Sequence, residues 1–262
     1  DEYWFDGFDA DNLKMDYPKI GRMIAEAQPE AVVYDSGMLV KTLPDRCIAW
    51  PGQHGGVAPD QDYRREIDGV MRWYPNEPSI ILQGNWFHTG EPAVSARQMQ
   101  EEYLYSTGHG VTPLLNFAPN QDGLIDEDAV AKLVEFKAWV DGIHANDLAR
   151  QAGVKTTDTG HRGNDAGYAA AMATDGNDET YFATDDNVTN AVIEVEFGQV
   201  RQPAGFILQE YIPLGQRVDG YVLECRVDGQ WQQVFAGKKI GYKRIIFAGR
   251  ASARDLTLPP CD

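Results

Sequence analysis

The spacing of apolar and polar residues changes character about midway along the chain. In the first half, short apolar runs end on a carboxylate or amide beside Gly or Pro, and amphipathic stripes follow them. Glu2-Tyr3-Trp4-Phe5-Asp6-Gly7 reads as a strand running into a sharp turn. Ile20, Met23, Ile24 and Ala27 fall at i, i+3, i+4 and i+7, which predicts a helix from about Tyr17 to Gln28, stopped by Pro29. Ala31 to Asp35 is the next strand and again ends on a carboxylate. Cys47 to Trp50 is strand-like, a Gly/Pro-rich loop runs through Pro59, and a helix is expected around Asp62 to Val70. Ser79 to Gln83 and Val111 to Phe117 predict two more strands, separated by a helix that Ser95 caps and that ends near Ser106. Asp126, Glu127 and Asp128 put negative charge on the first turn of a last helix, whose Val130, Leu133, Val134 and Ala138 share one face.

From about Asp147 no long amphipathic stripe is found. Short β-rich runs take over at Ala191 to Phe197, Ala204 to Gln209, Tyr221 to Val227, Trp231 to Phe235 and Arg244 to Ala248, punctuated by Asp175-Gly176 and Asp228-Gly229. The expectation is therefore an α/β plus all-β chain: a partial (β/α)₈ TIM-type barrel over residues 1–147, then a β jelly roll over 148–262. Four βα units make half of an eight-stranded barrel, and an open half leaves strand edges bare. The pattern thus implies that the other half comes from elsewhere, the chain being a fragment or one product of a split gene.

Composition narrows the partners. A 43% hydrophobic chain of 262 residues with 6 Trp and 12 Tyr is globular, and a formal charge of -17 without clustered Lys or Arg excludes nucleic acid and an anionic membrane face. Cys47, Cys225 and Cys261 are too scattered to suggest a disulfide framework or a zinc knuckle. The five His show no HxxxH or HxH spacing, so no metal site is expected. Neither a GxSxG elbow nor a phosphate-binding glycine loop is present.

In parallel α/β folds catalytic groups stand at the carboxyl ends of strands. Asp6 is either such a group or a turn cap. Two carboxylates suffice to hydrolyse a glycosidic bond, and Glu66 or Glu77 is placed to be the second; the plain alternatives are a solvated helix residue and a turn residue. Trp4, Trp50, Trp86, His54 and His88 supply the stacking faces and hydrogen-bonding groups that a sugar needs.

Trp4-Phe5-Asp6-Gly7, Trp50 to Gly56, Gly84-Asn85-Trp86-Phe87-His88 and Leu114 to Ile125 together resemble the α-L-fucosidases of glycoside hydrolase family 29, over about residues 1–145. The likeness is to the C-terminal half of the catalytic barrel and to the branch acting on α-1,3/1,4-linked fucose. It implies a retaining exo-α-L-fucosidase, with Asp6 as nucleophile and Trp4, Arg46, His54, Trp86 and His88 in the sugar pocket. The glutamate of the branch's W-x-G-N-E-x-G segment is replaced here, Gln53 and His54 standing in its place; Asp62-Tyr63 to Glu66 is similar, one residue short, to the D-F-x-x-x-E run that carries the acid in other members, and this likeness implies Glu66 as acid/base. The resemblance further implies a fucosylated glycan as substrate, a bacterial and exported (periplasmic or extracellular) enzyme, and inactivity of this half-barrel alone. Ala173 to Thr184, Glu210 to Gln216, Trp231 and Ile240 to Arg244 resemble a factor 5/8 type C (discoidin-like, galactose-binding-like) domain. Asp175 and Asn177 would hold a structural Ca²⁺ there or form a self-bonded Asx turn. Loss of the usual acid leaves a second reading: a carbohydrate-binding or catalytically silent relative of a fucosidase.

Overall fold

A computed structural model describes residues 2–5, 15–34, 39–51, 63–157, 159–247 and 261. The chain divides into two compact units, Asp1–Lys132 and Leu133–Asp262, a division that falls ahead of the expected boundary near residue 147 and inside a helix.

In the first unit, β1 (Glu2–Trp4), β2 (Val32–Tyr34) and β3 (Cys47–Ile48) form a parallel sheet, with Trp4 opposite Tyr34 and Tyr34 opposite Ile48. An antiparallel hairpin of β4 (Arg64–Ile67) and β5 (Val70–Trp73) is inserted next. A bridge from Ala49 to Asn76 continues the parallel ladder into the run entering β6 (Ser79–Ile81), which pairs in parallel with β7 (Leu114–Asn116). The strands therefore share one polarity, as the βα reading requires.

Helix α1 (Tyr17–Ala27) starts where the Asp16 side chain accepts from the Lys19 N–H at 2.9 Å. Ile24 of α1 packs with Val33, Cys47, Ala49, Leu39, Leu43 and Tyr74, and Tyr3 and Phe5 lie against the same cluster. Strand alternation then leaves Trp4 and Tyr34 on the opposite face of the sheet. Helix α2 (Ala96–Tyr105) is capped by Ser95, whose hydroxyl accepts from the Gln98 N–H at 3.2 Å.

Two expectations are corrected. The segment expected as a helix around residues 62–70 is, from Arg64 on, the β4–β5 hairpin: Asp68 and Gly69 both take positive φ (51° and 78°), the two-residue turn that an Asp-Gly pair favours between strands. Helix α3 (Glu127–His144) buries a different stripe from the one expected. Ala129 is buried and Leu133, Phe136, Trp139 and Val140 are half-buried, whereas Val130 and Val134 are exposed. Two aromatic rings cover more area than two valines and set which face turns inward.

In the second unit, β8 (Gly153–Thr157) pairs with β9 (Val192–Glu196), both antiparallel, and β10 (Gly205–Leu208) precedes the hairpin β11 (Tyr221–Val227) and β12 (Gln230–Gly237). The last strand, β13 (Arg244–Phe247), returns to pair with β10. All five β runs expected after residue 190 are strands; β8 adds one that the pattern did not show. Cys225 on β11 forms a disulfide with Cys261, across a sequence separation of 36. That corrects the reading of scattered cysteines. The two meet because the Cys261 backbone bridges to Arg201, a proximity invisible in the spacing. Among the described residues no helix is long and apolar enough to cross a membrane.

Candidate active site

Parallel pairing sends the carboxyl ends of β1, β3, β6 and β7 the same way, and the loops leaving them carry the aromatic and polar groups singled out above. Trp4 closes β1 with its ring centroid 4.3 Å from that of Tyr34 at a 36° tilt, so Tyr34 backs an indole that keeps 41% of its surface exposed. Trp50, just past β3, is also exposed.

Beyond β6, Gln83 is buried and its Oε1 accepts from the Ala118 N–H at 3.1 Å, which ties the loop after β6 to the loop after β7. His88 Nε2 lies 2.8 Å from Asp126 Oδ2, and Asn120 Nδ2 donates to Asp126 Oδ1 at 3.2 Å. The hydrogen bond from His88, then that from Asn120, holds the Asp126 carboxyl below its ordinary range. A carboxylate accepting from Nε2 fixes the imidazole's orientation beside Trp86 and Phe87, both exposed. Exposed rings next to an oriented imidazole suit a neutral sugar, which needs an apolar face to stack on and donors at its rim.

The structure brings Trp86 and His88 onto one loop and sets Trp4 at a strand end of the same polarity. Arg46 is elsewhere. It precedes β3, and its guanidinium donates to the Pro29 and Gln28 carbonyls just past α1, at 2.5 and 3.4 Å. Glu66 is exposed on β4 opposite Met71. The hairpin carrying it is anchored through Arg72 to Asp45, before β3, and through Tyr63 and Trp73 to Val111, before β7. The hairpin carrying Glu66 is thus tied, among the described residues, to segments that precede strands. Asp6 and His54 lie outside the described residues.

Glu77 is the other acid raised by the sequence. It is buried (5% exposed), its Oε1 has no hydrogen-bond partner, and burial followed by the negative charge of Glu2 pushes its carboxyl up to about 7. Sequence reasoning missed two features. Asp126, read only as first-turn charge, is the partner of His88, and Tyr34, read only as strand, is the support of Trp4. The Asp126-Glu127-Asp128 run carries three acids where capping needs one, the only available hint.

In the second unit, Asp175 Oδ1 accepts from the Asn177 N–H at 2.9 Å, Asp175 Oδ2 from the Thr180 hydroxyl at 2.6 Å, and Asn177 Oδ1 from the Glu179 N–H at 3.1 Å. These are the bonds of a self-held Asx loop. Among the described residues no group of three or more His, Cys, Asp or Glu side chains is placed to hold a metal.

Residues 154–260 match the F5/8 type C domain family. Over 98% of its length the chain is 29% identical to Alpha-L-fucosidase 1 of Arabidopsis thaliana, covering 54% of that protein. It is 28% identical over 94% to Putative alpha-L-fucosidase 1 of Oryza sativa subsp. japonica, covering 50%. The chain thus spans about half the length of the curated relatives it matches. Among solved structures, a Ruminococcus gnavus GH29 fucosidase in complex with fucose matches with a TM-score of 0.81 at 24% identity, over 99% of this chain and 59% of that one. A putative alpha-L-fucosidase from Bacteroides thetaiotaomicron matches equally, with a TM-score of 0.81 at 24% identity over the same shares, 99% and 59%. Plant and bacterial proteins both appear, so the likeness does not single out a bacterial source. The chain has the fold of these GH29 structures, its curated relatives are named alpha-L-fucosidases, and a discoidin-like domain is present in its second half.

Proposed function

We propose that this chain contributes to a retaining exo-α-L-fucosidase that removes terminal α-linked fucose, in α-1,3/1,4 linkage, from glycoconjugates or oligosaccharides. The observation that carries the reading is the placement of Trp4, Trp86 and an Asp126-oriented His88 at carboxyl ends of parallel strands, in a fold shared with fucosidase structures. Asp6, two residues beyond Trp4, attacks the anomeric carbon and forms a glycosyl ester as the aglycone oxygen leaves with a proton from the acid. The same acid, now a base, takes a proton from water, which cleaves the ester and releases fucose. Glu66 is the acid carried by this reading, which then requires it about 5 to 5.5 Å from Asp6. The Cys225–Cys261 disulfide fits an oxidising periplasmic or extracellular setting.

The hairpin that carries Glu66 is anchored to segments preceding strands, and this favours a second reading: glycan binding without turnover of natural substrates. An aryl α-L-fucoside separates the two, because a good leaving group needs little help from an acid. Assayed with whatever sequence flanks these residues in the intact protein, wild type and Glu66→Ala are expected to cleave the aryl substrate, and only wild type a natural fucoside. Unchanged aryl-fucoside turnover in Asp6→Ala would sink the hydrolase reading.

A further inference from the structure

Among the described residues, the mechanism above leaves a buried acid unused. Glu77 enters β6 between Pro75 and Pro78 and is tied by its backbone to the ends of β3 and β2. Its N–H donates to the Ala49 carbonyl at 2.9 Å, and its own carbonyl accepts from the Tyr34 hydroxyl at 3.1 Å. Tyr34 in turn supports the Trp4 ring. The Glu77 side chain feels the charge of Glu2, which sits two residues before Trp4 and on the same face of β1. Glu77 therefore reaches Trp4 by two routes, through Tyr34 on β2 and through Glu2 on β1.

We propose that Glu77 is a positioning residue for the sugar pocket: as a neutral carboxylic acid it holds the Trp4–Tyr34 wall in place, and its ionisation loosens that wall. The proposal rests on the fucosidase reading only in taking Trp4 as pocket lining.

A buried carboxyl whose Oε1 meets no hydrogen-bond donor among the described residues is tolerable when neutral, whereas in its anion that oxygen loses hydration that no donor replaces. Among the described residues, the titratable groups about it are the Glu2 carboxylate on β1 and the Tyr34 phenol on β2. The phenol's proton is committed to the Glu77 carbonyl. On the β3 side Ala49 presents only backbone, and the Cys47 thiol belongs to the helix-side cluster, where it donates to the Leu43 carbonyl. Toward β7 the contact is also backbone, from the Leu114 N–H to the Pro78 carbonyl. Ionised Glu77 would thus oppose ionised Glu2, and relief requires β1 or the β6 entry to move. Either movement displaces Trp4.

Tryptophan fluorescence of the whole chain between pH 5 and 9 tests this without relying on catalysis. Wild type is expected to show a reversible transition centred at about 7. Glu77→Gln, a neutral isostere, should abolish it, and Trp4→Phe should remove most of its amplitude. Glu2→Gln, which deletes the like charge, should move the midpoint to lower pH. Persistence of the transition in Glu77→Gln, or its absence from wild type, overturns the proposal. Where the intact protein turns over an aryl fucoside, KM should rise roughly threefold or more from pH 6 to 8.5 in wild type but stay level in Glu77→Gln, with kcat less affected. Absent turnover sinks the hydrolase reading and leaves the fluorescence result to decide the role of Glu77.

Discussion

Two glutamates, one in each unit, are put to opposite use. Glu210, between β10 and β11, has its carboxylate fully engaged: Oε2 accepts from the Arg217 and Val218 N–H groups and Oε1 from the Gly241 N–H at 2.7 Å. Glu77 is more deeply buried and leaves Oε1 bare. An acid bonded to three backbone donors is part of the fold, because removing it strands those donors. An acid buried without a donor weakens the fold whenever it ionises. Among the described residues, Glu210 in the second unit is satisfied by backbone donors, whereas Glu77 in the first keeps a bare oxygen.

The largest expected effect tests how far the second unit depends on its own cross-links. Reducing Cys225–Cys261, whose partners are 36 residues apart, should destabilise that unit by about 4 kcal/mol on loop-closure entropy. Urea melts with and without reductant, followed by a probe confined to residues 133–262, measure it. A loss below about 1 kcal/mol would mean that Cys261 adds little to the fold. Next comes Glu210→Ala, expected to cost about 3 kcal/mol, since charge-assisted bonds to backbone are the stronger kind. A near-neutral substitution would remove the contrast with Glu77.

The two halves also differ in how legibly they are written. In the first unit the parallel strands follow from short apolar runs and the helices from a 3.6-residue period, and two helix caps, Asp16 and Ser95, stand where a polar residue precedes the apolar stripe. The β4–β5 hairpin was misread because Arg64, Glu66 and Arg72 are good helix formers, while the decisive Asp68-Gly69 pair is only two residues long. At the candidate site, Trp86 and His88 stand out in the sequence as residue types that suit a sugar, within one short segment. The Asp126 partner of His88 was not, being 38 residues away in sequence and brought close only by the parallel pairing of β6 and β7. Arg46 shows the converse failure. A charged residue near a strand end matches a ligand contact as a residue type, yet its guanidinium is committed to the carbonyls just beyond α1, where a cation is favoured. The Cys225–Cys261 pair likewise needed three-dimensional proximity to be seen.

A smaller effect sharpens the comparison through pH. Folded Glu77 holds its proton up to about 7, against an ordinary glutamate value of 4.5, so between those values the folded state binds more protons than the unfolded one. Stability from this group is therefore fully present below the unfolded value and falls as pH rises through the folded value. Discounting for relaxation, Glu77→Gln should be about 2 kcal/mol more stable than wild type at pH 8 and nearly equal to it at pH 5. Equal stabilisation at both values would place the effect in packing and not in ionisation. Glu210→Gln should show no gain at pH 8, because it loses bonds that only the carboxylate makes in full.

The smallest expected effect concerns the Asp175 loop, where a bound Ca²⁺ would have to compete with bonds already made. Thr180 and the Asn177 N–H hold the Asp175 carboxyl below its ordinary range, with the Thr180 hydroxyl the larger contributor, so the carboxylate is stabilised before any cation arrives. Ca²⁺ takes six to eight oxygens, and gaining Asp175 and Asn177 as ligands means giving up their hydrogen bonds to the loop. Net stabilisation at millimolar Ca²⁺ should then stay under about 1 kcal/mol, a shift of only a few degrees in the melting of this unit. Chelation should reverse the shift and Asp175→Ala should abolish it. A rise well beyond ten degrees would mean that the loop reorganises into a built calcium site, and the second unit would then also keep acids in reserve for a ligand.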